Sequence, residues 1–392
     1  MWKSVASNAL TLFIVVLVLA AGLLAWGRQK FYEPGPLAQA VCVRVDRGAS
    51  MRAVSGDLAE MGAISNASIF RVGADYTDKA GLLKFGAWLV PANASMPQVL
   101  DAITTGGQST CGTEVVLQIG VNLAQVVLRD LDPASGRLVE VAKFDPSGEV
   151  PAAYTDAVAE GDLRWRVTLA EGVTSWQVVE SLKKADFLEG EVAALPAEGS
   201  LAPDSYAVER GDDREALLDL MVARQEGILA DLWASREEGL PYETPAEALV
   251  MASIVEKETG VAAERPMVAS VFVNRLRQGM RLQTDPTVIY GVTNGEGVLG
   301  RGLRQSELRR ATPYNTYVID GLPPTPIANP GRLSIEATLH PAQSDYVFFV
   351  ADGSGGHAFA RTLDEHNANV RRWREIERQQ GQVPEGGVQT AE

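Results

Sequence analysis

Residues 245 to 260, PAEALVMASIVEKETG, constrain this chain more than any other stretch. Thr244 reads as an N-cap, Pro245 as the first helical residue, and Glu247 as the return partner of a capping box. Leu249, Val250, Met251, Ala252, Ile254 and Val255 then make the helix apolar on almost every side. Such a helix must be buried, so any fold of this chain has to wrap around it. Gly260 is a natural stop. Glu256 and Glu258 therefore leave a buried helix near its C-terminal end, where both the helix dipole and burial disfavour a negative charge. Both effects raise a carboxyl pKa, which suits a general acid. Glu258 shares a helical face with Met251, Ile254 and Val255, whereas Glu256 shares one with Leu249, Ala252 and Ser253. Two residues apart, they cannot point the same way. The ordinary alternative is a pair of surface carboxylates with Lys257 and Arg265 as ion-pair partners, and spacing alone does not choose.

A second apolar feature lies near the N-terminus. Ala9 to Trp26 form an apolar run that spans roughly 27 Å as a helix, close to the hydrocarbon thickness of a bilayer. It exceeds the roughly 7–15 residues of a signal-peptide core, and no clean cleavage site follows, so it reads as an uncleaved anchor over 9–26 behind a short N-terminus, 1–8. Lys3 precedes it and Arg28 and Lys30 follow, which leaves the charge rule for orientation undecided. The two cysteines, Cys42 and Cys111, flank one subdomain and suit a disulfide in an oxidising compartment; two small buried thiols are the alternative, and the pair is too few for a metal site. Net charge is −15. The region 245–375 is balanced, with 14 basic and 14 acidic residues, so the acidic excess lies elsewhere. With no basic stripe, nucleic acid is excluded as a partner.

The middle of the chain carries a faint internal repeat. VRVDRGASMRAVSGDLAEMGAIS (43–65) and WRVTLAEGVTSWQVVESLKKADFL (165–188) each begin strand-like, turn at Gly48 or Gly172, and cap an amphipathic helix with Ser50 or Thr174. Each copy closes with a strand and a second helix, led in by Pro97-Gln98-Val99-Leu100 and by Arg214-Glu215-Ala216-Leu217. Between them, 106–160 reads as a β-rich insertion, with strand-like runs at 114–119 and 138–144.

Beyond the apolar helix a second one is expected over Pro266 to Met280, with Met267, Val268, Val271, Phe272 and Leu276 as its buried stripe and Gly279 in its last turn. The chain then turns polar at Arg281, Gln283, Thr284, Asp285 and Thr287. Gln283, Asp285 and Thr287, with Tyr314, Asn315, Thr316 and Tyr317, read as a wall able to hydrogen-bond and stack on a sugar; a capped turn and a strand edge are the plainer alternative. Gly321 to Gly331, with six Pro or Gly in eleven residues, reads as an ordered loop. Tyr346 to Ala351 and His357 to Ala360 read as a hairpin closed by Gly353-Ser354-Gly355-Gly356, which is a turn and not a phosphate cradle. His340, His357 and His366 lack metal-ligand spacing, and neither a metal nor a cofactor is expected. The tail from 379 to 392 reads as polar and disordered.

The stretch ASIVEKETGVAAERPMVASVFVNRLRQGMRLQTDPTVIYG (252–291) resembles the signature of the MltG (YceG-like) endolytic murein transglycosylases. TPYNTYVIDGLPPTPIANPG (312–331), HPA (340–342) and YVFFVADGSGGHAF (346–359) continue the resemblance. It implies that the acid is the Glu of a Glu-Thr pair, here Glu258 and Thr259, with Glu256 and Thr259 as candidate support. It also implies LysM-like α+β modules at 41–105 and 161–225, and a catalytic domain at 240–375. The expected protein is α+β: an N-terminal transmembrane helix, LysM-like modules and a C-terminal α+β catalytic domain. By resemblance its body is periplasmic at the bacterial inner membrane. It cleaves peptidoglycan internally at the MurNAc-GlcNAc bond, leaving 1,6-anhydro ends, and its partners are glycan strands and peptidoglycan synthases. A lysozyme-like muramidase using Glu256 or Asp285 is the near alternative, and an inert peptidoglycan-binding scaffold the distant one.

Overall fold

The structure is a computed structural model and describes residues 2–46, 48–105, 110–132, 135–160 and 163–379. The fold is mixed α+β. It divides into two compact units: Met1–Val115, Val127–Lys143 and Pro151–Arg164 in the first, and Val116–Val126, Phe144–Val150 and Trp165–Glu392 in the second.

The first unit opens with α1 (Trp2–Tyr32), which is longer than the apolar run alone because nothing before Pro34 breaks it. Thr11–Tyr32 contains an 18-residue window with a mean hydropathy of 2.1 that is nowhere buried by protein, in keeping with a single-pass anchor. Its last turn differs: Phe31 is buried in the core of the unit, against Gly73 of α3, where a Cβ would lie 2.0 Å from the ring. Strand β1 (Val41–Val45) leads to α2 (Met51–Glu60), capped by Ser50, and α3 (Ala67–Tyr76), capped by Asn66. Strand β2 (Gly86–Val90) returns antiparallel to β1, with Val43 opposite Trp88, and α4 (Met96–Thr104) follows; the Gln98 side chain accepts from Ser95 N at 2.8 Å. Alternation on β1 and β2 puts Val43, Val45, Trp88 and Val90 on one face, where Leu58, Phe70, Leu100 and Ile103 of the helices cover them. Cys42 of β1 is disulfide-bonded to Cys111.

Next come β3 (Thr113–Ile119), β4 (Ala124–Asp132), β5 (Arg137–Phe144), α5 (Ala152–Glu160) and β6 (Leu163–Leu169). The second unit continues with α6 (Ser175–Lys183), a short β7 (Leu188–Glu189), β8 (Ser205–Val208), β9 (Asp212–Asp213) and α7 (Arg214–Ala234). Strands β6 and β8 pair antiparallel, with Val167 opposite Tyr206, within a sheet ordered β5-β4-β3-β6-β8. Both β1 to α4 and β6 to α7 open on a strand and a helix and close on a strand and a helix, but the first has a second helix, α3, between its strands and the second the short β7 and β9. Thr174 caps α6 as Ser50 caps α2.

The remainder of the second unit surrounds α8 (Pro245–Glu258). Thr244 Oγ1 accepts from Glu247 N, and Glu247 Oε2 accepts from Thr244 N, closing the capping box. Ala248 and every residue from Val250 to Val255 are buried, so the helix is a central rod. At roughly 1.5–3 kcal/mol for each large apolar side chain taken from water, this rod is a main source of the domain's stability. Helix α9 (Arg265–Arg277) packs on it through Val268, Phe272 and Val273. It ends earlier than the sequence suggests: Gly279 lies beyond it, in the left-handed conformation at φ 67°, and lets the chain reverse. Helices α10 (Asp285–Thr293), α11 (Gln305–Leu308) and α12 (Arg332–Leu339) follow, and α12 returns Ile335 and Leu339 to the same core. A hairpin of β10 (Phe348–Ala351) and β11 (His357–Ala360) precedes α13 (Leu363–Gln379). Gln379 is thus helical, and the rest of the expected tail, 380–392, lies outside the described residues.

Candidate active site

Glu258 is the last residue of α8, and Thr259 leaves the helix in an extended conformation. The turn before α10 comes back alongside, and Thr284 Oγ1 donates to Glu258 Oε1. Burial pushes the Glu258 carboxyl above its ordinary range; the nearby charge of Asp285 raises it further, while the Thr284 hydrogen bond, His357 and Arg275 pull it down. Desolvation is the largest of these influences, so the acid form is favoured, as a proton donor requires.

The groups around Glu258 come from four segments. Arg275 of α9 is buried, with Nε donating to Val347 O at 2.6 Å and Nη1 to Leu282 O at 2.7 Å. Its guanidinium also lies 5.4 Å from the centre of the Phe348 ring. Asp285 opens α10 and its Oδ1 accepts from Tyr317 OH at 2.7 Å. The Tyr317 phenol is pushed up by burial and by the carboxylates of Asp285 and Glu258. His357 of β11 is held by Glu264, whose Oε1 accepts from His357 N at 2.9 Å while Oε2 meets the ring Nδ1 at 2.8 Å.

The other expected site residues divide sharply. Glu256 faces away: Oε1 is 3.1 Å from the Arg265 guanidinium, and Oε2 accepts from Gly331 N at 3.0 Å and Ser334 Oγ at 2.7 Å. Arg265 also pairs with Glu171 at 2.9 Å. Both oxygens of Glu256 are thus engaged by donors that tie α8 to α12. Thr259 is buried, and its hydroxyl accepts from Val261 N at 3.0 Å, so it shapes the exit from α8.

Thr287, Asn315 and Thr316, expected in a sugar-binding wall, are each 0% exposed. The Asn315 amide donates to the carbonyls of Glu307, Leu308 and Arg310, and its Oδ1 accepts from Tyr317 N. Both its N–H groups are taken by these carbonyls, and it fixes the loop that carries Tyr317. Thr287 and Thr316 bond each other at 2.9 Å beneath Thr284. Gln283 and Asp285 remain exposed beside the site, and Gln283 holds a left-handed φ of 47° with its N–H on Thr316 O. A non-glycine residue seldom takes that conformation, and it turns the Gln283 side chain out of the buried loop. Tyr314 is half-buried, its ring tilted against that of Tyr290 with centres 4.9 Å apart, and bonded through its hydroxyl to Thr325. Arg275 and His357 are the groups a sequence reading leaves out, since an arginine in an amphipathic helix resembles surface.

A cavity of about 650 Å³ lies at the other end of α8, between Leu249, Val250, Glu198 and the Pro323–Pro326 loop. It does not contain Glu258, and its mostly apolar walls offer few groups for the chemistry set around that carboxyl. Among the described residues no cluster of His, Cys, Asp and Glu could hold a metal ion.

The family model described as the YceG-like family matches residues 144–372. A Bacillus subtilis (strain 168) protein named endolytic murein transglycosylase is 30% identical over 332 residues, which is 83% of this chain and 83% of that one. A protein of the same name from Streptococcus pneumoniae (D39) is 26% identical over 340 residues, covering 84% of this chain and 58% of that protein. A crystal structure of a YceG-like protein from Listeria monocytogenes, 27% identical, covers 84% of this chain and 98% of that one with a TM-score of 0.45.

Proposed function

The chain belongs to the YceG-like family, and from that premise we propose that it is a peptidoglycan lytic transglycosylase acting inside glycan strands. The bond cleaved is the β-1,4 link from MurNAc to GlcNAc. Glu258 gives its proton to the glycosidic oxygen as the bond to C1 of the muramic residue breaks. The resulting carboxylate takes the proton of the muramic 6-hydroxyl, whose oxygen closes onto C1. The products are a GlcNAc end and a 1,6-anhydro-MurNAc end, Glu258 is restored to its acid form, and water is not consumed. On a nascent strand this ends elongation.

The observation that carries this reading is the raised carboxyl of Glu258, standing alone on its side of α8 while Glu256 is bound into an ion pair. One carboxyl that donates and then accepts the same kind of proton suffices for the ring closure. Asp285 acts on the same carboxyl electrostatically, and this supports a second reading, a two-carboxylate muramidase that uses water. Gln283, Asp285 and Tyr314 are the proposed substrate contacts, since they keep exposed polar or aromatic surface. The two strand–helix modules, β1 to α4 and β6 to α7, would serve as LysM-like glycan-binding elements. Helix α1 would hold the protein in the inner membrane with its body in the periplasm, near the synthases that extend the strands.

Mass spectrometry of glycan strands digested by the wild type and by Glu258→Gln tests this. Anhydro ends should form with the wild type and fall by about 10²–10⁴-fold with the variant. Reducing ends would favour the muramidase. Identical digests would remove Glu258 from the chemistry, and no cleavage by the wild type would leave a binding scaffold.

A further inference from the structure

We infer that Thr284 is the positioning residue that decides which oxygen of Glu258 carries the catalytic proton: its hydroxyl occupies Oε1 and leaves the proton on Oε2. The inference rests on the reading of Glu258 as the acid and base. Thr284 sits at the N-cap of α10, where a threonine hydroxyl normally accepts from the first turn of its own helix. It makes no such cap bond and turns to Glu258 instead.

The residue cannot swing away. Thr284 is 2% exposed, its N–H donates to Thr316 Oγ1 at 3.0 Å, and its carbonyl accepts from Thr287 Oγ1 at 2.8 Å. Thr287 Oγ1 and Thr316 Oγ1 are bonded to each other at 2.9 Å, so three buried threonines form a closed clamp behind the carboxyl. The hydroxyl of Thr284 owns one proton, and Glu258 is the only partner of that hydroxyl among the hydrogen bonds of the described residues. Were Oε1 to carry the acid proton, the Thr284 proton would be left with a hydroxyl oxygen, a poorer acceptor than the carbonyl-like oxygen, at a buried site where that loss is costly. Oε1 therefore accepts in both the acid and the carboxylate form, and Oε2 is the oxygen that gives and takes the proton.

The groups that face Glu258 are Asp285 of α10, Arg275 of α9, His357 of β11 and Tyr317. None of them is altered by a change at Thr284, so a moved pH limb would report the Thr284 bond itself. That bond favours the carboxylate, and its loss pushes Glu258 further up.

The test compares full-length wild type, Thr284→Val and Thr284→Ser in detergent, scoring anhydro ends against pH and substrate concentration. Thr284→Val should lose about 10–100-fold in kcat with KM nearly unchanged, and its alkaline limb should move to higher pH. Thr284→Ser should keep kcat within about threefold and the wild-type limb. A Val variant with wild-type kcat and limb would overturn the inference. So would a Ser variant as impaired as Val, because the methyl group rather than the hydroxyl would then matter. Thr284→Ala replaces Val in the same comparison if Val does not fold. A wild type that yields no anhydro ends would instead overturn the proposed reaction, an outcome that none of the variant comparisons can produce.

Discussion

Glu256 and Glu258, two residues apart on the last turn of α8, are held by partners of opposite kind. Glu256 meets a buried guanidinium, and Glu258 meets a hydroxyl in a pocket that favours its proton. One helix end thus carries an ion-paired carboxyl on one side and a carboxyl pushed toward its acid form on the other.

The Glu256 side has a stability consequence. Glu256→Ala removes the partner of Arg265, which is 6% exposed, and leaves Gly331 N and Ser334 Oγ without an acceptor. Glu171 remains on Arg265 at 2.9 Å and softens the loss. A destabilisation of about 2–4 kcal/mol is expected by denaturant titration, with Glu256→Gln less affected.

The Glu258 side has a pH consequence. Its carboxyl is raised in the folded protein, so the stability it contributes is fully present below its ordinary value of 4.5 and is lost as pH rises through the folded value. Glutamine does not titrate and can still accept from Thr284. Glu258→Gln should therefore melt higher than the wild type at neutral pH, and the gap should close as pH falls below about 4.5. A gap that widens toward acid would contradict the burial of this carboxyl.

Arg275 links the acid to the rest of the core. Its substitution by Met takes donors from Val347 O and Leu282 O, and should cost about 2–4 kcal/mol. The same change removes a positive charge that pulls the Glu258 carboxyl down, so the alkaline limb of activity should move up. Calorimetry and a pH profile on one variant read both effects.

The disulfide closes a sequence separation of 69 residues in the first unit. Cys42→Ser should lower the stability of that unit by about 4 kcal/mol by the loop-entropy relation, and a reductant should reproduce the effect in the wild type. Glycan cleavage measured below the melting range separates this loss from any effect at Glu258.

Much of this was legible in local chemistry. Thr244, Pro245 and Glu247 announce the start of α8, and Ser50 and Thr174 announce α2 and α6, because caps are set by neighbours in sequence. The continuous apolar run from Val250 announces a central helix for the same reason. Partners distant in sequence were not legible. Asn315 reads as a ligand-binding amide until the carbonyls of Glu307, Leu308 and Arg310 are seen to occupy it. Spacing could not separate Glu256 from Glu258, since the distinction lies in Arg265 and Ser334 on one side and Thr284 on the other. That β3 to β5 join the sheet of β6 and β8 depends on pairings that no local periodicity encodes.

Phe31 closes the last turn of α1 into the core of the first unit, against a glycine that no larger residue could replace without moving the ring. A span joined to its cargo through a flexible spacer would let that cargo wander and tumble over the lipid. A span whose final turn belongs to the folded unit gives it no such freedom. With α1 in a bilayer, the tilt of the helix becomes the tilt of the first unit, and bilayer thickness becomes one of the things that sets how high that unit rides.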